Sequence, residues 1–185
     1  VSDNESFNEL VRLQTTSGVF KDGAEAVNAF LAENQFADTS VQHTLSPSAS
    51  KDAGLGGRNT TSVKDCGELL SRIYKGECVS KEASDAMLNL LLNQQVTTKI
   101  PSGISASVEI ANKTGETDTD QHDIAIVYGE KTTYILCVMS ENCKSGDAVS
   151  HIRDISGIVY NYLNNSSANF NPCLLYTSDA ADEAR

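Results

Sequence analysis

Two short polar runs hold the residue types best suited to chemistry. Ser2-Asp3-Asn4 puts a hydroxyl, a carboxylate and an amide just ahead of a helical stretch. Lys113-Thr114-Gly115 puts an ammonium, a hydroxyl and a residue without a side chain at the end of a strand, with Glu116 next in line. Between them they offer donors, acceptors and a fixed positive charge. Each run also has a purely structural reading. Ser2 and Glu5 have capping-box spacing, and Asn112-Lys113-Thr114 has the form of a glycosylation sequon. A tripeptide gains meaning only from its context. Here one run sits on a loop leading into a helix and the other on an edge-like strand before a hairpin.

Other candidate groups carry less. Glu116, Asp118, Asp120 and His122 alternate along the chain and could turn one way around a cation, but the stretch lacks the central glycine of a calcium loop. A polar, solvated hairpin turn is the expectation there. His43 and His151 have no evident partner in the sequence. Gly54, Gly56 and Gly57 follow no strand and precede no Gly-Lys-Ser/Thr, so they do not make a phosphate loop. Cys66 on a helical stripe and Cys137 within a strand read as small buried hydrophobes. No Cys-x-x-Cys pair supports zinc or redox chemistry. No cofactor and no metal is expected.

Composition narrows the partners. The 185 residues are 39% hydrophobic and 21% charged, ordinary values for a globular protein. The net charge is -11, and the basic residues are scattered singly. Nucleic acid is therefore excluded as an expected partner, since phosphate binding needs clustered Lys and Arg. No run of eighteen apolar residues exists to span a membrane.

The elements that must position the two runs follow from periodicity. Residues 4–13 place Phe7, Leu10 and Val11 at helical spacing. Gly23 is expected to lead into a second helix, with Ala26, Val27, Phe30 and Leu31 on its apolar face. From Asp38 to Arg58 periodicity fails, which reads as one long loop. Ser62 and Asp65 open a third helix, its stripe running through Val63, Cys66, Leu69, Leu70, Ile73 and Tyr74 to a stop at Gly76. Ser80 caps a fourth, with Ala83, Met87, Leu90 and Leu91 as its buried side. Pro101 and Gly103 break the chain. Residues 106–113, 123–128 and 132–140 read as strands, the last two joined at Gly129-Glu130-Lys131. A closing helix places Ala148, Ile152, Ile155, Val159 and Leu163 on one side. The fold class is α+β: a helical lobe over residues 1–98, then an antiparallel meander covered by a helix over 99–172.

Ser-Asp-Asn and Lys-Thr-Gly, together with Ser-x-x-Lys, form the motif set of class A β-lactamases and penicillin-binding proteins. The chain resembles that penicillin-recognising serine hydrolase family from residue 1 to about 164. Thr60 through Gly76 is similar to the helix after the family's long active-site loop. Residues 87–95 resemble the helix that follows. His122-Asp123-Ile124-Ala125-Ile126-Val127 resembles the strand after Lys-Thr-Gly. The resemblance implies a β-lactamase/transpeptidase-like fold with a cleft between the lobes, and hydrolysis of a β-lactam through an acyl-enzyme. It implies that Ser2 relays a proton to the departing ring nitrogen and that Asn4 holds the substrate's side-chain amide, with Asp3 a structural neighbour. It implies that Lys113 supplies positive potential, the Thr114 hydroxyl binds the substrate carboxylate, Gly115 admits the ligand close to the strand, and the Glu116 backbone N–H forms half of an oxyanion hole. The implied partner is a β-lactam or a peptidoglycan peptide, met by a monomer that is secreted or held in a bacterial cell envelope.

The resemblance has two gaps. Ser-x-x-Lys does not occur ahead of Ser2, and the chain opens on Val1 rather than Met, so the nucleophile is expected upstream and this chain alone is expected to be inactive. The loop stretch Thr44-Leu45-Ser46-Pro47-Ser48-Ala49-Ser50-Lys51 contains no carboxylate, whereas the family places a water-activating glutamate there; the nearest acids are Asp38 and Asp52. A D,D-peptidase, or a sensor that stays acylated, is the alternative. Residues 173–185 resemble a translated sequencing adapter and are set apart from the fold.

Overall fold

The computed structural model describes residues 2–46, 54–105 and 107–165. The expected tail at 173–185 and the loop residues Pro47 to Asp52 lie outside them. Helices α1 (Asn4–Arg12), α2 (Phe20–Glu33), α3 (Val63–Lys75) and α4 (Lys81–Leu92) come first. A short 3-10 turn, Ile100–Gly103, leads to strands β1 (Ile110–Glu116), β2 (Gln121–Tyr128) and β3 (Thr133–Met139). Helix α5 (Ser145–Tyr160) closes the order and runs into a π turn at Asn161–Asn165. The architecture is mixed α+β.

The strands form an antiparallel sheet in the order β1-β2-β3. Register pairs Ala111 with Ile126 and Ile126 with Ile135, while Val127 lies between Ile110 and Tyr134. Alternation then sends neighbouring residues to opposite faces. One face carries Ala111 and Ile126 against Leu70 of α3, with Leu88, Leu91 and Leu92 of α4 packed around them. The other carries Ala125 and Val127 against Ile152 and Tyr160 of α5 and Ile100 and Ile104 of the turn. Central β2 is thus buried on both faces, which explains its unbroken Ile124–Val127 run. A separate cluster of Val11, Phe20 and Ala24 joins α1 to α2.

Several local signals hold. The Ser62 hydroxyl accepts from the Asp65 amide to start α3, and Gly76, at φ 76°, ends it in the left-handed region. The Ser80 hydroxyl caps α4 through the Ala83 amide. The β2–β3 hairpin turns where expected.

Others need correction. The cap of α1 is Asp3, not Ser2: its carboxylate accepts from the Ser6 amide at 2.7 Å. Gly23 does not lead into α2 but lies within it. An added Cβ there would stand 1.9 Å from the Val11 carbonyl oxygen, so glycine lets α2 cross α1 closely. The buried face of α2 is consequently Phe20, Gly23 and Ala24, and Phe30 is exposed. On α3, Leu70 and Ile73 are buried while Val63, Leu69 and Tyr74 are exposed. On α4, Leu90 faces outward and Ser84 is the buried residue. On α5 the buried positions are Ala148, Ile152, Ser156 and Tyr160, with Ile155 exposed. Strand β1 starts at Ile110, not at 106. The Tyr128 amide still reaches the Glu109 carbonyl, but β2 ends at Tyr128, so Ser107 and Val108 lack a ladder partner; residue 106 lies outside the described residues.

Candidate functional site

The end of β1 gathers several polar and charged groups. Lys113, Thr114 and Gly115 sit there half-buried, followed by exposed Glu116. The Lys113 ammonium donates to the Thr114 carbonyl. Burial and then the nearby Lys99 ammonium hold Lys113 below the ordinary lysine range, partly opposed by Asp123 and Glu116. An added Cβ at Gly115 would rest 3.5 Å from the His122 ring, an ordinary contact. The protein's own packing therefore does not demand glycine at that position.

Lys99 is the residue that sequence reasoning missed. It is 1% exposed, and its ammonium donates to the Gly115 and His122 carbonyls, both at 3.1 Å. The Glu116 carboxylate is 3.5 Å away. Lys99 immediately precedes the Ile100–Gly103 turn, and its signal in the sequence was hidden by the Pro101 break. Behind it lies Asp123, fully buried on β2. Its carboxylate accepts from the Ile100 amide at 2.9 Å and from the Asn112 side-chain amide at 3.0 Å. Burial lifts the Asp123 carboxyl above the usual carboxylate range, against the pull of Asn112, Ile100 and Lys99. A charged residue inside an apolar strand was the available clue.

The turn after β1 is self-contained. Asp120 accepts from the Thr117 hydroxyl at 2.7 Å and from the Asn142 amide at 3.2 Å. Those bonds, Thr117 first, hold its carboxyl below the usual range. The acidic alternation from Glu116 to His122 is thus a locked polar turn. Among the described residues no group of three His, Cys, Asp or Glu is placed to hold a metal. A polar depression of about 460 Å³ beside this turn is lined by Glu116, Thr117, Asp118, Gln121 and Ser145.

Ser2, Asp3 and Asn4 stand exposed at the start of α1. The Ser6 bonds hold the Asp3 carboxyl below its ordinary range. The Asn4 amide donates to the Ser46 carbonyl of the long loop at 2.9 Å. One helical turn on, fully buried Asn8 brackets Leu45, accepting from its amide at 2.8 Å and donating to its carbonyl at 3.0 Å. Lys113, Thr114, Gly115 and Glu116 are brought together with Lys99. Asn4 is brought to the loop and Ser2 stands exposed, and among the described residues no hydrogen bond or ion pair joins either to Lys113 or Thr114.

A sequence profile described as the beta-lactamase enzyme family matches residues 1–163. Solved structures with similar folds include PBP-A, at 25% identity and a TM-score of 0.65, covering 76% of this chain and 51% of that one. The β-lactamase from Sphaerobacter thermophilus DSM 20745 matches at 22% identity and a TM-score of 0.65, over 76% of this chain and 54% of that one. The TLA-1 extended-spectrum β-lactamase matches at 22% and 0.67, over 88% and 64%. The chain thus spans between 51% and 64% of the length of these structures. No curated protein matches it.

Proposed function

The chain belongs to the beta-lactamase enzyme family, and from that premise we propose that it carries the substrate-recognising half of a serine hydrolase that opens β-lactams through an acyl-enzyme. The observation that carries this reading is the end of β1. There two lysines, one of them half-buried, stand beside a strand whose Gly115 is not needed by the fold. An anionic ligand fits such a place. Lys113 supplies positive potential to its carboxylate, the Thr114 hydroxyl donates to it, and Gly115 lets it lie along the strand. The Glu116 backbone N–H stabilises the oxyanion that forms as the ring amide is attacked.

The attacking hydroxyl and its lysine lie in a segment upstream of Ser2 in this reading. Ser2 passes a proton to the departing ring nitrogen. Asn4 has given one amide hydrogen to Ser46, so its second hydrogen and its oxygen remain for the substrate's side-chain amide. Alone, the 185-residue chain then turns over no chromogenic cephalosporin.

A second reading has its own support. Of the two acids nearest the stretch of residues 44–51, Asp38 is tied to another element. Its carboxylate accepts from the Ser62 hydroxyl at 3.0 Å, at the start of α3. A positioned base contributes about 10²–10⁴-fold to such a step. Without one, the acyl-enzyme hydrolyses slowly, as a D,D-peptidase or penicillin sensor would. Its place is then the cell envelope or the exterior of a bacterial cell.

Intact-mass spectrometry separates the cases. A protein joining this chain to an upstream Ser-x-x-Lys segment is mixed with a penicillin and sampled over time. Rapid formation of a long-lived adduct is expected. Rapid return to the unmodified mass contradicts slow deacylation, and no adduct with the penicillin left intact contradicts the whole reading.

A further inference from the structure

We propose that Asp123 is a positioning residue: it seats Lys99 across the Gly115 and His122 carbonyls and offsets the combined charge of Lys99 and Lys113, so that the end of β1 can hold two ammonium groups near one another. Its purpose rests on the proposed reading of that end as an anion site. The geometry stands without it.

The chain of contacts is short. Asp123 is fully buried on the central strand, opposite Thr114 in the ladder. One carboxylate oxygen receives the Ile100 amide and the other receives Asn112. Fixing the Ile100 amide fixes the first residue of the turn, and Lys99 is the residue just before it. From there the Lys99 ammonium reaches two carbonyls on two different strands, both at 3.1 Å. It therefore pins β1 to β2 at the paired Gly115 and His122, next to the paired Thr114 and Asp123. Asn112 takes part as well, since its amide also reaches the Val96 carbonyl at 3.3 Å, in the segment arriving from α4.

Charge gives the second half of the argument. A buried ammonium needs compensation. The titratable groups that act on Asp123 are Lys99 from the turn, Lys113 from β1 and the Cys137 thiol from β3, while Glu116 of β1 acts on Lys99 and Lys113. Two of these are cations that repel each other. Glu116 offers its charge from a side chain that is 68% exposed, where water screens it. Asp123 is the buried anion of the group. Without it, the Lys99–Lys113 repulsion is opposed only from the surface.

Lysine side-chain NMR on the purified chain tests this directly. Lys113 is assigned by the signal lost in Lys113→Arg, and its titration midpoint is followed with pH. Asp123→Asn keeps the shape and removes the charge. The Lys113 midpoint is expected to drop by about one further pH unit, the effect of losing a nearby opposite charge. Lys99→Met, removing the repelling cation, moves it up. A merely structural Asp123 leaves the midpoint where it was, and that result overturns the proposal. If Asp123→Asn loses its dispersed spectrum, the unmutated chain still decides. Its Asp123 carboxyl carbon must titrate above the ordinary aspartate range, and the Ile100 amide must move with the same midpoint. Independent midpoints overturn the proposal. A normal Lys113 response alongside failed penicillin acylation sinks the proposed function alone; acylation alongside an unmoved Lys113 sinks this inference alone.

Discussion

The long loop and the end of β1 are held by opposite means. The loop is held by neutral amides. Asn28 brackets Val41 with two bonds of 2.8 Å, Asn59 collects the Gln42 and His43 amides, Asn8 brackets Leu45 and Asn4 reaches Ser46. Four asparagines thus act as a substitute partner strand for residues 41–46. The end of β1 is held by buried ions, Lys99 and Asp123. Neutral amides pin a backbone without placing a field on it. Ions pin it and create a field as well.

The comparison can be broken at points of decreasing consequence. Ile126→Ala empties a fully buried site between Leu70 and Ala111. It should cost about 2–5 kcal/mol by urea denaturation. A loss under 1 kcal/mol would mean that the sheet and the α3–α4 pair do not share a core.

Cys137 sharpens the contrast chemically. Burial, with Cys66 and Asp123 nearby, pushes its thiol up to about 12 from 9.0. At pH 8 it should alkylate with iodoacetamide roughly a thousandfold slower than an ordinary exposed thiol, because the thiolate is the nucleophile. Peptide mapping reads this out. The sign for stability follows. The folded thiol keeps its proton longer than the unfolded one, so its contribution is intact below about pH 9 and is lost as pH climbs toward 12.

Asn8→Ala strips the Leu45 amide and carbonyl of their partners in a buried place. A loss of about 1–3 kcal/mol is expected, with faster hydrogen exchange at Leu45 and little change at Ile126. Equal acceleration at both would show that the loop and the sheet open as one unit. Ser62→Ala removes the α3 cap and the bond to Asp38 together. It should cost about 1 kcal/mol, read as a small drop in the urea midpoint.

What the sequence made legible divides along the same line. Caps and stops act within a few residues, so Ser62, Gly76 and Ser80 announced α3 and α4, and the Gly129 turn announced its hairpin. Gly23 was misread because its reason for being glycine is the Val11 carbonyl, on another helix. Periodicity named the right helices but put Phe30, Leu69 and Leu90 inward, since it cannot tell how much of an apolar face finds a neighbour. The Lys-Thr-Gly run was visible as a motif. Lys99 was not, because only the folded turn brings it 3.1 Å from Gly115. The asparagine set escaped for the same reason: each bond spans 13 or more residues of chain.

The proposed function requires that the start of α1 and the end of β1 border one groove. Its most direct test is a titration of the isotope-labelled chain with benzylpenicilloate, which carries both a carboxylate and a side-chain amide. The Asn4 side-chain amide and the Thr114, Gly115 and Glu116 backbone amides should shift together along a single saturation curve. Shifts confined to one of the two groups, or following different curves, would contradict the account.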